Sequence, residues 1–258
     1  MRRCLQVIAL SLALGAPSLS AHALDAGKVD AISKAADRFA ELAKESHTTG
    51  KPPRQTDPTV KPLLDLVFDT AEIERGQPVP MNQLNTLNGW NLAAIKVGLI
   101  YMLAGTGTND IATLGNDPKA GDKVNSNTAE FSPELGRYFD AQLRLQSAII
   151  DTVQGFLGTA SKAQLENPNF KSGIAQIRSG VAQTINGLVG TFAVDGVTDE
   201  WRRARVAVVN AIAPKVAKFL LPEEARIVRE TALEIAGRMK DQRVKDDLAK
   251  FAKAVGGR

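Results

Sequence analysis

The chain has 258 residues, 32 basic and 28 acidic, a formal net charge of +4, one cysteine and two histidines. So even a mixture excludes the one-sided basic footprint of a nucleic-acid binder. The scarcity of Cys and His excludes a cysteine-rich zinc site and an HExxH pair, and Cys4 is the only thiol.

The chain opens MRRCLQVIALSLALGAPSLSAHA. Arg2 and Arg3 give a basic start, Leu5 to Ala16 an apolar middle, and Pro17 a break. Ala21-His22-Ala23 fits the small-x-small rule of signal peptidase. The apolar run is shorter than the roughly 20 residues a membrane span requires. Residues 1–23 are therefore expected to be a cleaved signal peptide, placing the protein in the periplasm or outside the cell. Cleavage would remove Cys4 and His22, leaving no disulfide in an oxidising space, so stability must come from a packed core. Residues 24–258 are expected to form a single helical domain.

From there nearly every periodic stretch reads as helix. Val29, Ile32, Ala36, Phe39 and Ala43 recur at three- and four-residue steps. HTTGKPPRQTDPT, 47–59, reads as a proline-rich linker. A second helix starts after Pro62 and is ended by GQPVP, 76–80. A third runs from about Met81 to Leu103, and its second half is apolar nearly all round, as in a buried central helix.

GTGTNDIATLGNDPKAGDKVNSNTAEF, 105–131, has no sustained period and is expected to be a long loop rich in Gly, Asn and Asp. Its Asn109, Asp110, Asn116, Asp117 and Asp122 offer oxygen ligands but lack the spacing of a calcium loop. Ser132-Pro133-Glu134 then opens a helix with a cap, a proline and an acid in the first turn. Asn167-Pro168 opens the next. VGTFAV, 189–194, is the one stretch that could be extended. Further helices are expected from near Glu200, where Pro214 is a possible split, from Leu221-Pro222, and from Asp241 to Val255. The expected class is an all-α bundle of about seven or eight helices.

Within 168–195, glycine recurs every seven residues, at Gly173, Gly180 and Gly187. Seven residues fall about 20° short of two full turns, so these glycines form one line on a helix. An interior glycine costs about 1 kcal/mol against alanine, and close approach of a second helix would offset that. Gly155 and Gly158 are candidates for the other side, with Gln176 and Gln183 bonding across the seam. A membrane-inserting helix or an oligomer seam are the other readings.

Chemistry is mostly excluded. There is no P-loop, no GxSxG elbow and no glycine-rich dinucleotide turn after a strand, so no cofactor and no metal is expected. His47 stands at the linker edge. Asp69, Glu72 and Glu74 are the carboxylates that a hydrolase could use as a pair. DEWRRAR, 199–205, is the best candidate for recognition. Trp201 and Arg205 share a helix face, where the guanidinium can stack on the indole, while Arg202 and Arg203 point elsewhere around the turn.

The functional expectation is a non-enzymatic, exported binding or interaction protein with its ligand site at Trp201, Arg202 and Arg205. Its partner would be a protein or a small anionic or apolar ligand. Two alternatives stand beside it: a carboxylate-dependent hydrolase of envelope polymers, and a membrane-active helical protein using 92–104 and 170–192. The region 198–258 is net basic, which would allow peripheral contact with an anionic membrane.

Overall fold

The computed structural model describes residues 24–74, 78–114 and 117–257. The expected signal peptide, Gly76, Gln77 and Asn116 lie outside the described residues. Among the described residues the chain is helical, with no strand.

Eleven α-helices follow in order: α1 (Ala26–Leu42), α2 (Ser46–Thr49), α3 (Lys61–Phe68), α4 (Leu84–Met102), α5 (Pro118–Glu130), α6 (Ser132–Thr159), α7 (Lys162–Glu166), α8 (Pro168–Gly190), α9 (Asp199–Phe219), α10 (Pro222–Arg238) and α11 (Gln242–Gly256). Single 3₁₀ turns lie at Met81–Gln83, Ile111–Thr113 and Thr191–Ala193. Eight of these helices match the expected ones. The three unforeseen helices, α2, α5 and α7, account for a count above seven or eight.

The helices pack as a sequence of neighbours. The first, α1, lies on α3 and α4; α4 packs on α6, α6 on α9, α9 on α11, α11 on α10 and α10 on α8. The 28-residue α6 is the central member, with α4 on one side and α9 on the other. One hydrophobic cluster runs through all of them, with Trp90, Tyr101, Phe39 and Phe131 toward the N-terminal half and Phe192, Trp201 and Phe251 toward the other. At the α4–α6 seam, Gln146 Nε2 donates to Asn91 Oδ1 at 3.2 Å and Gln142 Nε2 to Asn91 O at 3.4 Å, all three residues being buried. Slipping that seam would strand these amides at about 1–3 kcal/mol per unsatisfied group, so they fix its register.

Three expectations for the connecting segments are corrected. The 105–131 stretch is not one long loop, because its second half is α5. Asp117 caps that helix by accepting from Lys119 N at 3.0 Å, and Pro118 takes the first turn. What holds α5 is polar: the buried Asn127 donates through Nδ2 to Met102 O at 2.9 Å and Ala104 O at 2.7 Å, satisfying carbonyls at the end of α4. The 47–59 segment is docked rather than a free linker. Pro52 is buried, Pro53 O accepts from Tyr101 Oη at 2.8 Å, and Arg54 reaches Glu134. VGTFAV is not extended; it is the end of α8 and the 3₁₀ turn after it. Pro214 sits on an exposed position inside α9 and does not split it.

The glycine line is also corrected. Gly173 is buried, but Gly180 and Gly187 are exposed, and a methyl placed on either meets nothing within 4 Å. Gly158 likewise faces open space. Gln183 Nε2 donates to Ser179 Oγ at 3.0 Å on its own helix. The close approaches are elsewhere. A Cβ at Gly98 would lie 2.6 Å from Tyr138 Cδ2, and one at Gly136 would lie 2.9 Å from Trp201 Nε1. These two glycines let α4 and α9 come down on α6. With no neighbour to clash, Gly180→Ala and Gly187→Ala are each expected to raise stability by about 1 kcal/mol, read as a rise in melting temperature of about 2–4 °C. A fall at either position would mean that this face is covered.

Candidate functional site

Thr198 starts α9 by accepting from Trp201 N at 3.2 Å. That cap aims the first turn of α9 at the first turns of α6. Trp201 is 8% exposed, its Nε1 donates to Ser132 O at 2.7 Å, and its ring meets Phe139 and Phe192 edge-on. Arg205 stacks on the indole as expected, 5.3 Å from its centroid, and grips Asp140 of α6 with Nη2–Oδ2 at 2.7 Å and Nε–Oδ1 at 3.2 Å. Arg202 donates to Phe192 O and Val194 O, both at 2.8 Å, and pairs with Asp199. Arg203 pairs with Asp241 at the start of α11.

The structure thus brings the expected recognition residues together and gives each of them an internal partner. A ligand here would have to displace Asp140 or the carbonyls after α8. The cluster is a bracket that joins α6, the α8–α9 turn and α11.

The carboxylates are engaged too. Glu72 is buried; it accepts from Asp25 N at 3.0 Å and pairs with Lys28 at 3.3 Å. Glu74 turns the other way, to Thr70 Oγ1 at 2.6 Å and to Arg144. Burial pushes the Glu74 carboxyl up, but the hydrogen bonds from Thr70 and Arg144 and the Arg144 charge outweigh it and leave it below the usual range. That is the wrong direction for a general acid, which needs its proton near neutral pH. Asp110 and Asp117 spend a carboxylate oxygen on the backbone N–H of Ala112 and Lys119. His47 gives its carbonyl to Gly107 N at 2.8 Å. Among the described residues no three His, Cys, Asp or Glu side chains gather as a metal site. None of the described helices is long and apolar enough to cross a membrane. In the basic C-terminal region, Arg226 pairs with Glu223 and Glu230, Arg203 with Asp241, and Arg238 with Glu234.

A groove of about 560 Å3 lies between α6 and α9 and ends against Ile73, Glu74, Pro78 and Val79. One wall is Arg144, Ser147, Ala148 and Asp151; the other is Ala207, Val208, Ala211, Ile212 and Lys215. Both sets follow helical three- and four-residue steps, so each wall is one face of its helix. The floor is apolar and low, with Val79, Ala148 and Ile212 buried and Ala207 and Ala211 open to solvent. Charges of both signs frame it. Lys215 Nζ lies 2.6 Å from Asp151 Oδ2 and 2.9 Å from Ser147 Oγ, and Arg144 meets Glu74 across the end.

Sequence reasoning missed Arg144, Asp151 and Lys215. Their signal is faint: Arg144, Ser147 and Asp151 repeat at helical steps beside the apolar stripe of α6. Ala207, Ala211 and Lys215 do so on α9.

Comparison with protein-family models, with curated proteins and with solved structures finds no match.

Proposed function

We propose that this is an exported, non-enzymatic helical binding protein of a bacterial-type periplasm, and that its seat is the groove between α6 and α9. The observation that carries this reading is the pair of open helix faces with an alanine floor and a rim of balanced charge. Small floor residues admit another backbone closely, as they do where helices pack tightly. An amphipathic helix from a protein partner fits such a channel, its apolar side on Ala148, Val208, Ala211 and Ile212 and its charges exchanging into the Lys215–Asp151 and Arg144–Glu74 pairs at the rim. Two charges of each sign select a partner of mixed charge over a simple anion. Export is supported by the basic, apolar and small-x-small order of residues 1–23.

Ala211→Trp fills the groove from an exposed position and adds no buried strain. Native mass spectrometry of the protein purified from exporting cells should show wild type carrying a polypeptide partner. The Ala211→Trp protein should be bare, with its melting temperature within about 2 °C of wild type. Equal partner occupancy in both would place binding elsewhere. A small molecule in place of a polypeptide would overturn the helix-in-groove assignment.

A further inference from the structure

We infer that residues Gln83 and Glu72 form a built seat for the amino terminus that cleavage between Ala23 and Leu24 would create. The inference rests on the export reading above and adds to it a role for the new terminus in the folded protein.

Leu24 is the residue that follows the small-x-small site, and its side chain is 3% exposed, inside the core cluster. The Gln83 side chain reads its backbone at two points. Oε1 accepts from Leu24 N at 2.8 Å, and Nε2 donates to Leu24 O at 3.4 Å. The next N–H, of Asp25, goes to Glu72 Oε1 at 3.0 Å. The other Glu72 oxygen pairs with Lys28 at 3.3 Å, and Lys28 also reaches Asp69 at 3.7 Å while lying 5.4 Å over the Trp90 ring. Asp25 itself caps α1, accepting from Gly27 N at 2.8 Å.

A helix needs only a cap at its start, and Asp25 supplies it. Burial of Leu24 before that cap and of Val29 four residues after it fits a hydrophobic staple, but the Gln83 and Glu72 bonds to two successive backbone N–H groups need another reason. The charges give one: among the described residues, the carboxylates of Asp25, Asp69 and Glu72 gather around Lys28 next to this backbone. Hydrolysis of the Ala23–Leu24 amide by an external peptidase consumes one water. The carboxylate leaves on Ala23, and Leu24 N becomes an ammonium. A neutral donor is thereby replaced by a charged one with further N–H groups, facing Gln83 Oε1 and one residue from the N–H that Glu72 holds. Charge-assisted bonds are about twice as strong as neutral ones. Processing therefore locks the start of α1 onto the segment after α3 and the 3₁₀ turn that carries Gln83.

The sign of the pH dependence follows. On this proposal the Glu72 carboxylate and the Gln83 acceptor outweigh burial and the Lys28 charge and raise the pKa of the ammonium above its ordinary value of about 7.7–8.0. The added stability is complete below that range and is lost as pH rises through the raised value.

The test uses the whole chain made in exporting cells, compared with the same chain made without export so that residues 1–23 remain. Intact mass gives the start. The rate of reductive methylation at the Leu24 amine against pH gives its pKa, and thermal melts at pH 6.5 and pH 10 give the linkage. The expected result is a start at Leu24 and an amine pKa about one unit above the ordinary value. The processed chain should melt about 2–4 °C higher than the unprocessed one at pH 6.5, a margin that shrinks at pH 10. Glu72→Gln, which keeps shape, should return the pKa toward the ordinary range, and Gln83→Ala should speed the methylation. A start at Leu24 with an amine that titrates like that of a free peptide overturns the seat and leaves export standing. A retained leader, or a start at another residue, overturns both.

Discussion

Glu134→Ala is expected to lower unfolding free energy by about 3 kcal/mol, read as a shift of the urea midpoint at constant slope. Glu134 is 1% exposed at the first turn of α6, and its carboxylate bonds cross to Arg54 and Gln55 of the 47–59 segment. Arg54 Nε and Gln55 N both donate to Oε1 at 3.0 Å, and Arg54 Nη2 donates to Oε2 at 3.3 Å. The guanidinium lies 5.0 Å over Phe131. Removing the carboxylate leaves the Gln55 N–H without its acceptor and Arg54 without its anion. Arg54 is 42% exposed and can turn to water, which holds the loss to the lower end of what breaking a buried pair brings. Arg54→Ala leaves the charge behind in a buried site and should be of similar size. The double variant should then lose less than the sum of the two. A Glu134→Ala loss under about 1 kcal/mol would mean that the segment is not held through this carboxylate.

Trp201→Ala is expected to be the most damaging substitution of the group, at about 3–5 kcal/mol. It removes an indole packed between Phe139 and Phe192, strips the platform from Arg205 and orphans Ser132 O. Trp201→Phe keeps most of the ring contact and loses the Nε1 donor, so about 1–2 kcal/mol should be lost. The pair separates a bracket from a ligand platform. A surface recognition tryptophan would leave chemical denaturation within about 0.5 kcal/mol of wild type while abolishing binding.

How far the sequence reaches follows from which forces leave a pattern. The long amphipathic helices were legible because burial imposes a three- and four-residue step, as in Val228, Ala232 and Ile235 along α10. The 118–130 helix was not, because its buried residues are Asn127 and Thr128 and its hold on α4 is through hydrogen bonds. A hydropathy period cannot record an amide that caps a carbonyl. The glycines carry a similar lesson. The regular series at Gly180 and Gly187 faces open space, while the unremarked Gly98 and Gly136 sit under Tyr138 and Trp201. Close approach depends on what the other helix brings, and no spacing within one helix encodes that.

The Trp201–Arg205 stack was legible from a four-residue spacing, but Asp140, which saturates Arg205, lies 65 residues away in sequence. The groove was illegible for the same reason, since its walls come from α6 and α9 and neither wall is distinctive alone.

The most direct test of the groove assignment is site-specific photo-crosslinking in exporting cells. A photoreactive residue is placed at Ala211, in the α9 wall, or at Ala249, exposed on α11 outside the residues lining the groove. The account predicts one discrete adduct from position 211, absent from position 249, with the crosslinked partner segment helical and carrying both charges. Matching adducts from the two positions, or a product only from position 249, would contradict it.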